Sequence, residues 1–216
     1  MRRDEITISF DAYHTLFQES LNHFYQLRKR MGGCSSSTEE IQRTLSDIVL
    51  QTVPPRFPTH HKLLMYWYNV YCELCARHKS SCNGVTSILE YTSSERAWDI
   101  IPGSFALLKK IQSIGSIRTI VCSDWDESLY MILSGLGVFV EEIYTSASIG
   151  YSKSNREYWQ KVLEFEPGLC IHIGDDPATD FHPPHPIVGL SIKDPEILMK
   201  ISKRLNVSYS IFIERA

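Results

Sequence analysis

Apolar and polar positions along the chain fall into two regimes. The first strand-like stretch is short: Ile6, Ile8 and Phe10 alternate with Thr7 and Ser9 and run straight into Asp11, a period-two pattern that predicts a strand ending at a carboxylate. From residue 18 to about 97 the pattern is almost wholly helical and contains no strand. Residues 20–31 place Leu21, Phe24, Tyr25 and Leu27 on one side, with Arg28, Lys29 and Arg30 near the C-terminal end and Gly32-Gly33 as the stop. After a small polar loop, Thr38 reads as an N-cap ahead of Glu39, Glu40 and Ile41, opening a helix that runs to about Val53 and ends at Pro54-Pro55. From about Pro58 onward, Leu63, Leu64, Trp67, Val70, Tyr71, Leu74 and Cys75 form a wide helical stripe that breaks at Cys82-Asn83-Gly84.

From Trp98 onward the pattern changes. Helical periods over 103–114, 129–135 and 157–163 alternate with short apolar runs over 117–122, 138–144 and 169–173, the last ending at Gly174-Asp175-Asp176. Helices alternating with buried strands predict βαβ units and a parallel sheet. The opening strand belongs with this half, so the expected fold class is α/β: a Rossmann-like, three-layer core with a parallel sheet. Residues 1–17 and 98–216 form that core, and residues 18–97 form an inserted all-helical cap domain. A final strand is expected in the run VSYSIFI near the C-terminus.

The chain has 216 residues, 22 Lys plus Arg against 25 Asp plus Glu, a net charge of −3 and 43% hydrophobic residues. This is the composition of an ordinary globular protein, with no electrostatic case for nucleic acid. No apolar run approaches the ~20 residues that span a bilayer. Arg2, Arg3, Asp4 and Glu5 lead into an alternating strand rather than an unbroken apolar core, so no secretory segment is expected, and the expected location is cytoplasmic. The oligomeric expectation is a monomer or homodimer. The six cysteines do not make a disulfide framework. Cys122 and Cys170 sit in apolar runs as small hydrophobes. Cys72, Cys75, His78 and Cys82 have a metal-like look, but their spacing matches no zinc pattern and most lie in a helical run, so they read as ordinary helix residues.

Polar groups stand at the ends of several of these runs: Asp11 after ITISF, Ser123 after TIVC, Lys153 in SIGYSKSN, and Asp175 with Asp176 after IHIG. In a parallel sheet they converge on one edge. Such a set suits phosphoryl transfer through a covalent intermediate. An Asp is a competent nucleophile once charge is neutralised. Carboxylates can gather Mg²⁺, and a Lys and a Ser can bind phosphoryl oxygens. Asp11 and Asp175 are the metal pair, and Lys153 and Ser123 the anion ligands.

These motifs, in order and spacing, resemble the haloacid dehalogenase (HAD) superfamily of hydrolases: Asp11-Ala12-Tyr13-His14-Thr15 for the first, Ile120-Val121-Cys122-Ser123-Asp124 for the second, Gly150-Tyr151-Ser152-Lys153 for the third, and Ile173 through Asp180 for the fourth. The resemblance implies Asp11 as nucleophile and metal ligand, with Ser123, Asp124 and Lys153 binding phosphate. It puts Asp175, Asp176 and the Tyr13 backbone carbonyl on Mg²⁺, and Asp180 in the shell behind them. The helical insertion would be a cap that selects a small phosphorylated metabolite.

Two departures qualify what the resemblance implies. The position two residues after Asp11, where such phosphatases place an acid/base Asp, holds Tyr13, and a phenol with an ordinary pKa near ~10 is a poor base at pH 7. That substitution leaves open a catalytically impaired binding or regulatory protein, or a haloacid dehalogenase, whose halide leaves without a proton. His14 reads as a solvated or core-facing residue. After Asp180, Pro183, Pro184 and Pro186 forbid a regular helix, His182 and His185 read as loop residues, and Asp124 adds a negative charge that needs a partner.

Overall fold

In the computed structural model, which describes residues 6–206, five parallel strands form the central sheet in the order β5-β4-β1-β6-β7. These are β1 (Ile6–Phe10), β4 (Ile117–Ser123), β5 (Glu142–Thr145), β6 (Leu169–Gly174) and β7 (Val188–Ser191). The opening strand lies at the centre, with Ile8 opposite Thr119 on one side and Ile171 on the other. The polar side of its alternation does not face water. Thr7 and Ser9 are as buried as Ile8 and Phe10, because a central strand of a parallel sheet is covered on both faces. The buried hydroxyl of Ser9 is hydrogen-bonded to His172 on β6 at 2.8 Å, as burial of a polar group requires.

Helices cover both faces. One core layer joins Ile8, Phe10, Val121 and Ile173 to α5 (Pro102–Gln112), α6 (Ser128–Gly135) and α9 (Ile197–Leu205). The other places Tyr158, Trp159 and Val162 of α8 (Arg156–Phe165) on Ile120, Cys122 and Leu169. The short α7 (Ser146–Ile149) ends at Gly150, whose φ of 84° is left-handed, a conformation glycine adopts at little cost. Behind the sheet, Glu166 is buried and accepts two parallel bonds from Arg118 on β4, plus the hydroxyls of Tyr144 and Thr7.

Residues 23–92 carry α1 (His23–Arg30), α2 (Thr38–Gln51), α3 (His60–Arg77) and α4 (Val85–Thr92), packed on one another and free of strands. The chain enters through β2 (Phe17–Glu19) and leaves through β3 (Trp98–Ile100), which pair antiparallel with Phe17 opposite Ile100. The expected helical pattern begins at residue 18, inside β2, so β2 is a correction; three residues are too few to show a period. The N-cap of α2 is Ser37, not Thr38. Its hydroxyl accepts from Glu40 N, and Glu40 returns a bond to Ser37 N in a reciprocal capping box. The run over 138–144 narrows to β5 at Glu142–Thr145, since Val138 and Val140 precede the strand. The prolines between Asp180 and β7 do exclude a helix there, but Val188–Ser191 then adds a sheet strand that those prolines hid. The VSYSIFI run lies outside the described residues.

Replacing Glu166 with Ala strands Arg118, Tyr144 and Thr7 behind the sheet. A loss of about 2–3 kcal/mol is expected, seen as a lower urea midpoint at unchanged slope. An unchanged midpoint would show that the network does not stabilise the fold.

Candidate active site

Asp11, Ser123 and Asp175 come together at the carboxyl edge of the sheet, where β1, β4 and β6 end. Asp11 is buried, and its backbone N–H is fixed to Ile173 O at 2.7 Å. Lys153 arrives from the loop after α7. Its carbonyl accepts the Trp159 indole at 2.8 Å and its backbone N–H donates to Asp124 at 2.9 Å, so the side chain is aimed inward before any ligand binds. Its Nζ lies 2.5 Å from Asp11 Oδ1 and 2.6 Å from Asp180 Oδ1.

Asp180, expected in the shell behind Asp11 and Asp175, lies level with them. Asp11, Asp175 and Asp180 offer carboxylate oxygens within 4.8 Å of one another. Asp176, expected as a ligand, does not join this group. Its carboxylate accepts from Ala178 N at 2.9 Å and Thr179 Oγ1 at 3.1 Å, folding the loop that carries Asp180 back over β6. The fully buried Asp180 accepts from Lys153, from His172 Nε2 at 3.1 Å and from its own loop at Asp176 N. Two glycines make room for it. A Cβ on Gly174 would lie 2.1 Å from Asp180 Oδ2, and one on Gly189 would lie 2.2 Å from the Asp180 carbonyl.

Burial raises the Asp11 pKa against the opposing pull of Lys153. Burial also acts to raise Asp180, but His172 and Lys153 outweigh it and hold its carboxyl well below the usual range. Lys153 stays protonated: burial alone would lower it, and the two carboxylates more than reverse that. Burial lowers His172, so the neutral ring donates Nε2–H to Asp180 and accepts Ser9 Oγ–H at Nδ1, a tautomer assigned from the network. Lys153 therefore faces two buried carboxylates, while Asp175 has only the exposed Lys193 at 3.9 Å. A hard-oxygen set short of positive charge suits Mg²⁺.

Tyr13 follows Asp11 in a tight turn in which Ala12 O accepts from Leu16 N at 2.7 Å and His14 takes a φ of 55°. The phenol points to the neck and donates to Glu19 on β2. Burial, then Glu19, raise its pKa well above the ordinary phenol value, so it is no base. Its ring joins Phe17, Trp98 and Trp125, with centroids 5.3–6.4 Å apart. His14 is exposed, with its ring 3.9 Å from that of Tyr13. Asp124 lines the cavity but is committed to Lys153 N and, at 3.1 Å, Ser152 Oγ, so these donors supply the partner its charge requires. Glu19 escaped sequence reasoning, because nothing in its local pattern ties it to the strand end. Above the site, a cavity of about 780 Å³ opens between the strand ends and the helical insertion. Cys72, Cys75, His78 and Cys82 form no ligand cluster among the described residues, and no helix there is long and apolar enough to cross a membrane.

No family model matches the chain, and no curated protein matches it in sequence. Solved structures match it in fold. The L-2-haloacid dehalogenase of Xanthobacter autotrophicus aligns over 81% of this chain and 71% of its own, at 12% identity and a TM-score of 0.57. A 2-haloacid dehalogenase of Pseudomonas syringae aligns over 82% and 80%, at 12% identity and 0.52. YfnB of Bacillus subtilis, described as a HAD-hydrolase and bound to magnesium, aligns over 95% and 100%, at 15% identity and 0.57. At these identities the likeness is one of fold: the chain has the α/β fold of HAD-superfamily hydrolases.

Replacing Gly174 with Ala forces the Asp180 carboxylate off Lys153. The expected result is a folded protein whose thermal stabilisation by millimolar Mg²⁺ falls at least several-fold; an unchanged Mg²⁺ shift would separate Asp180 from the ion.

Proposed function

We propose that this chain is a Mg²⁺-dependent phosphatase that hydrolyses a small phosphate ester through an aspartyl-phosphate on Asp11. The observation that carries the reading is the pairing of a buried, lysine-held carboxylate with two further carboxylates at the same strand edge. Asp11, Asp175, Asp180 and the Tyr13 backbone carbonyl would hold Mg²⁺. The chemistry the ion supplies when bound is positive charge against the developing charge on the phosphoryl oxygens. Lys153 keeps Asp11 oriented and adds a second positive charge, and Ser123 donates to a phosphoryl oxygen. Asp124 holds the Lys153 loop rather than the phosphate. Asp176 shapes the loop of Asp180.

Within the superfamily the chain resembles haloacid dehalogenase-like hydrolase domain-containing protein 3, through Asp124-Trp125-Asp126-Glu127-Ser128-Leu129 and Ser134-Gly135-Leu136-Gly137. The reading also takes residues 18–97 as a substrate-selecting cap and the protein as cytoplasmic, acting on a free metabolite rather than on nucleic acid or a membrane.

Two other readings follow from particular residues. The Tyr13 hydroxyl is turned to Glu19, which favours a protein that binds Mg²⁺ and phosphate without turnover. The dehalogenase reading has the fold likeness behind it, but a 2-haloacid needs a cation for its carboxylate. Among the described residues lining the cavity there is no arginine, and the one lysine is already shared by two carboxylates.

A panel of phosphomonoesters assayed with Mg²⁺ is expected to show turnover that Asp11→Asn reduces by at least about 10²-fold, within the range for loss of a group acting directly in the chemistry. Binding of Mg²⁺ and phosphate with no Asp11-dependent turnover would favour the silent binding protein. Halide release from a 2-haloacid without metal would favour the dehalogenase.

A further inference from the structure

The cavity above Asp11 has two unlike halves. Its floor is the charged site. Its walls toward the helical insertion are mainly apolar and aromatic, with Phe24 of α1, Leu45 of α2, Leu63 and Trp67 of α3, and Trp98 and Trp125 from the neck and the strand edge, and carry uncharged polar groups such as Gln42, Ser46 and Thr92 between them. Among the described lining residues the only lysine is Lys153, whose Nζ is held by Asp11 and Asp180, and there is no arginine. Lys193 lies outside the lining and is drawn to Asp175 at 3.9 Å, so a second anionic group on the substrate, whether phosphate or carboxylate, finds no free cation among the residues lining the cavity. Flat, apolar walls instead match a flat, apolar group.

The second observation concerns protons. When the P–O bond to the leaving group breaks, its electron pair stays on the leaving oxygen, and an alkoxide needs a proton from the protein at that moment. Five of the polar side chains that line the cavity near Asp11 are committed elsewhere; the exposed His14 also lines it and is tested by its own variant. The Tyr13 hydroxyl gives its one proton to Glu19. Asp124 accepts from Lys153 N and Ser152 Oγ, Asp126 from Ser128 N at 2.7 Å, and Asp176 from Ala178 N and Thr179 Oγ1. His23 is buried, with its Nδ1 3.1 Å from Ala97 O.

We infer that the substrate is the phosphate ester of a phenol, an aryl phosphate whose ring packs against Trp67 and its neighbours and whose oxygen leaves without help from a protein acid. The inference rests on Asp11 being the phosphoryl acceptor. In the first step a carboxylate oxygen of Asp11 bonds to phosphorus as the P–O(aryl) bond breaks. The electron pair leaves on the aryl oxygen as a phenolate, delocalised into the ring, which takes its proton from bulk water after release. In the second step a water oxygen bonds to phosphorus, the Asp11–phosphorus bond breaks with its electron pair returning to the carboxylate, and the water proton passes to solvent.

The test is a leaving-group series on the full chain with Mg²⁺: substituted phenyl phosphates whose phenols have pKa values from about 7 to about 10, together with glycerol 3-phosphate and butyl phosphate. The expected rate falls steadily as the phenol pKa rises, and the alkyl esters trail by about 10²–10⁴-fold, the usual worth of a positioned acid. Trp67→Ala is expected to raise KM for aryl esters several-fold with little change in kcat, and Tyr13→Asp to raise the alkyl rates relative to the rate of the nitrophenyl ester in the same variant. The wild-type series decides the matter even where a variant fails to fold. Alkyl esters hydrolysed as fast as aryl esters, in an Asp11-dependent way, overturn the inference and leave the phosphatase reading standing. A flat series that becomes steep in His14→Gln likewise overturns it, by assigning the proton to His14. Absence of Asp11-dependent turnover on every ester removes the phosphatase reading itself, and this inference with it.

Discussion

The interaction on which the site depends is the contact of the Lys153 ammonium with Asp11 and Asp180 at once. These groups come from a strand end, a loop after a four-residue helix and a loop behind β6, 142 and 27 residues apart in sequence. Each is nearly or wholly excluded from water. A buried charge without a partner is costly, while a paired one at good geometry roughly balances its desolvation. The bridge therefore does less to stabilise the fold than to fix where three elements meet. Asp180 also anchors a second line of contacts, through His172 to Ser9 on the central strand, so the charged edge is tied into the middle of the sheet.

The neck between sheet and helices is held differently. Tyr13, Phe17, Trp98 and Trp125 pack as an aromatic cluster on the β2–β3 pair, and the Tyr13 hydroxyl closes it by bonding Glu19. Aromatic pairs of this kind add about 0.5–1.5 kcal/mol beyond the area they bury. A residue two positions from the candidate nucleophile is thus built into the joint that carries the helical insertion. The insertion in turn supplies much of the apolar wall of the cavity, so one side chain borders both the chemistry and the element that shapes the space above it.

What the sequence made legible follows from how local each signal is. Asp11, Ser123 and Asp175 could be read because each ends an apolar run, and strand ends of a parallel sheet meet at one edge whatever the loops do. Lys153 was a weaker signal, placed with them by its position in the polar segment after the run near Ile143, since its loop is without period, and the resemblance to a known motif then supported it. The exchange of roles between Asp176 and Asp180 was hidden. Both lie in one short loop, and which carboxylate faces inward depends on Asp176 accepting from Ala178 and Thr179 and on the space left by Gly174 and Gly189. Those are contacts across strands, and β7, which carries Gly189, was itself masked by the prolines before it. Glu19 was hidden for the same reason: its partner is fixed by a three-residue strand too short to show a pattern.

The charge of the site and the apolarity of the cavity above it act as one constraint. Two unit charges about 4 Å apart interact by about 4 kcal/mol at an effective dielectric near 20 and by about 1 kcal/mol in water. Burial therefore strengthens the hold of Lys153 on Asp11 and Asp180, and equally the mutual repulsion of Asp11, Asp175 and Asp180, which Lys153 and the exposed Lys193, 3.9 Å from Asp175, leave partly uncompensated. Relief by water is limited where Asp11 and Asp180 are buried. It has to come from a cation among the three carboxylates or from protonation of one of them: burial raises both Asp11 and Asp175, whereas His172 and Lys153 hold Asp180 strongly acidic. The availability of Asp11 for its proposed role as nucleophile is coupled to whatever positive charge occupies the space between it and Asp175.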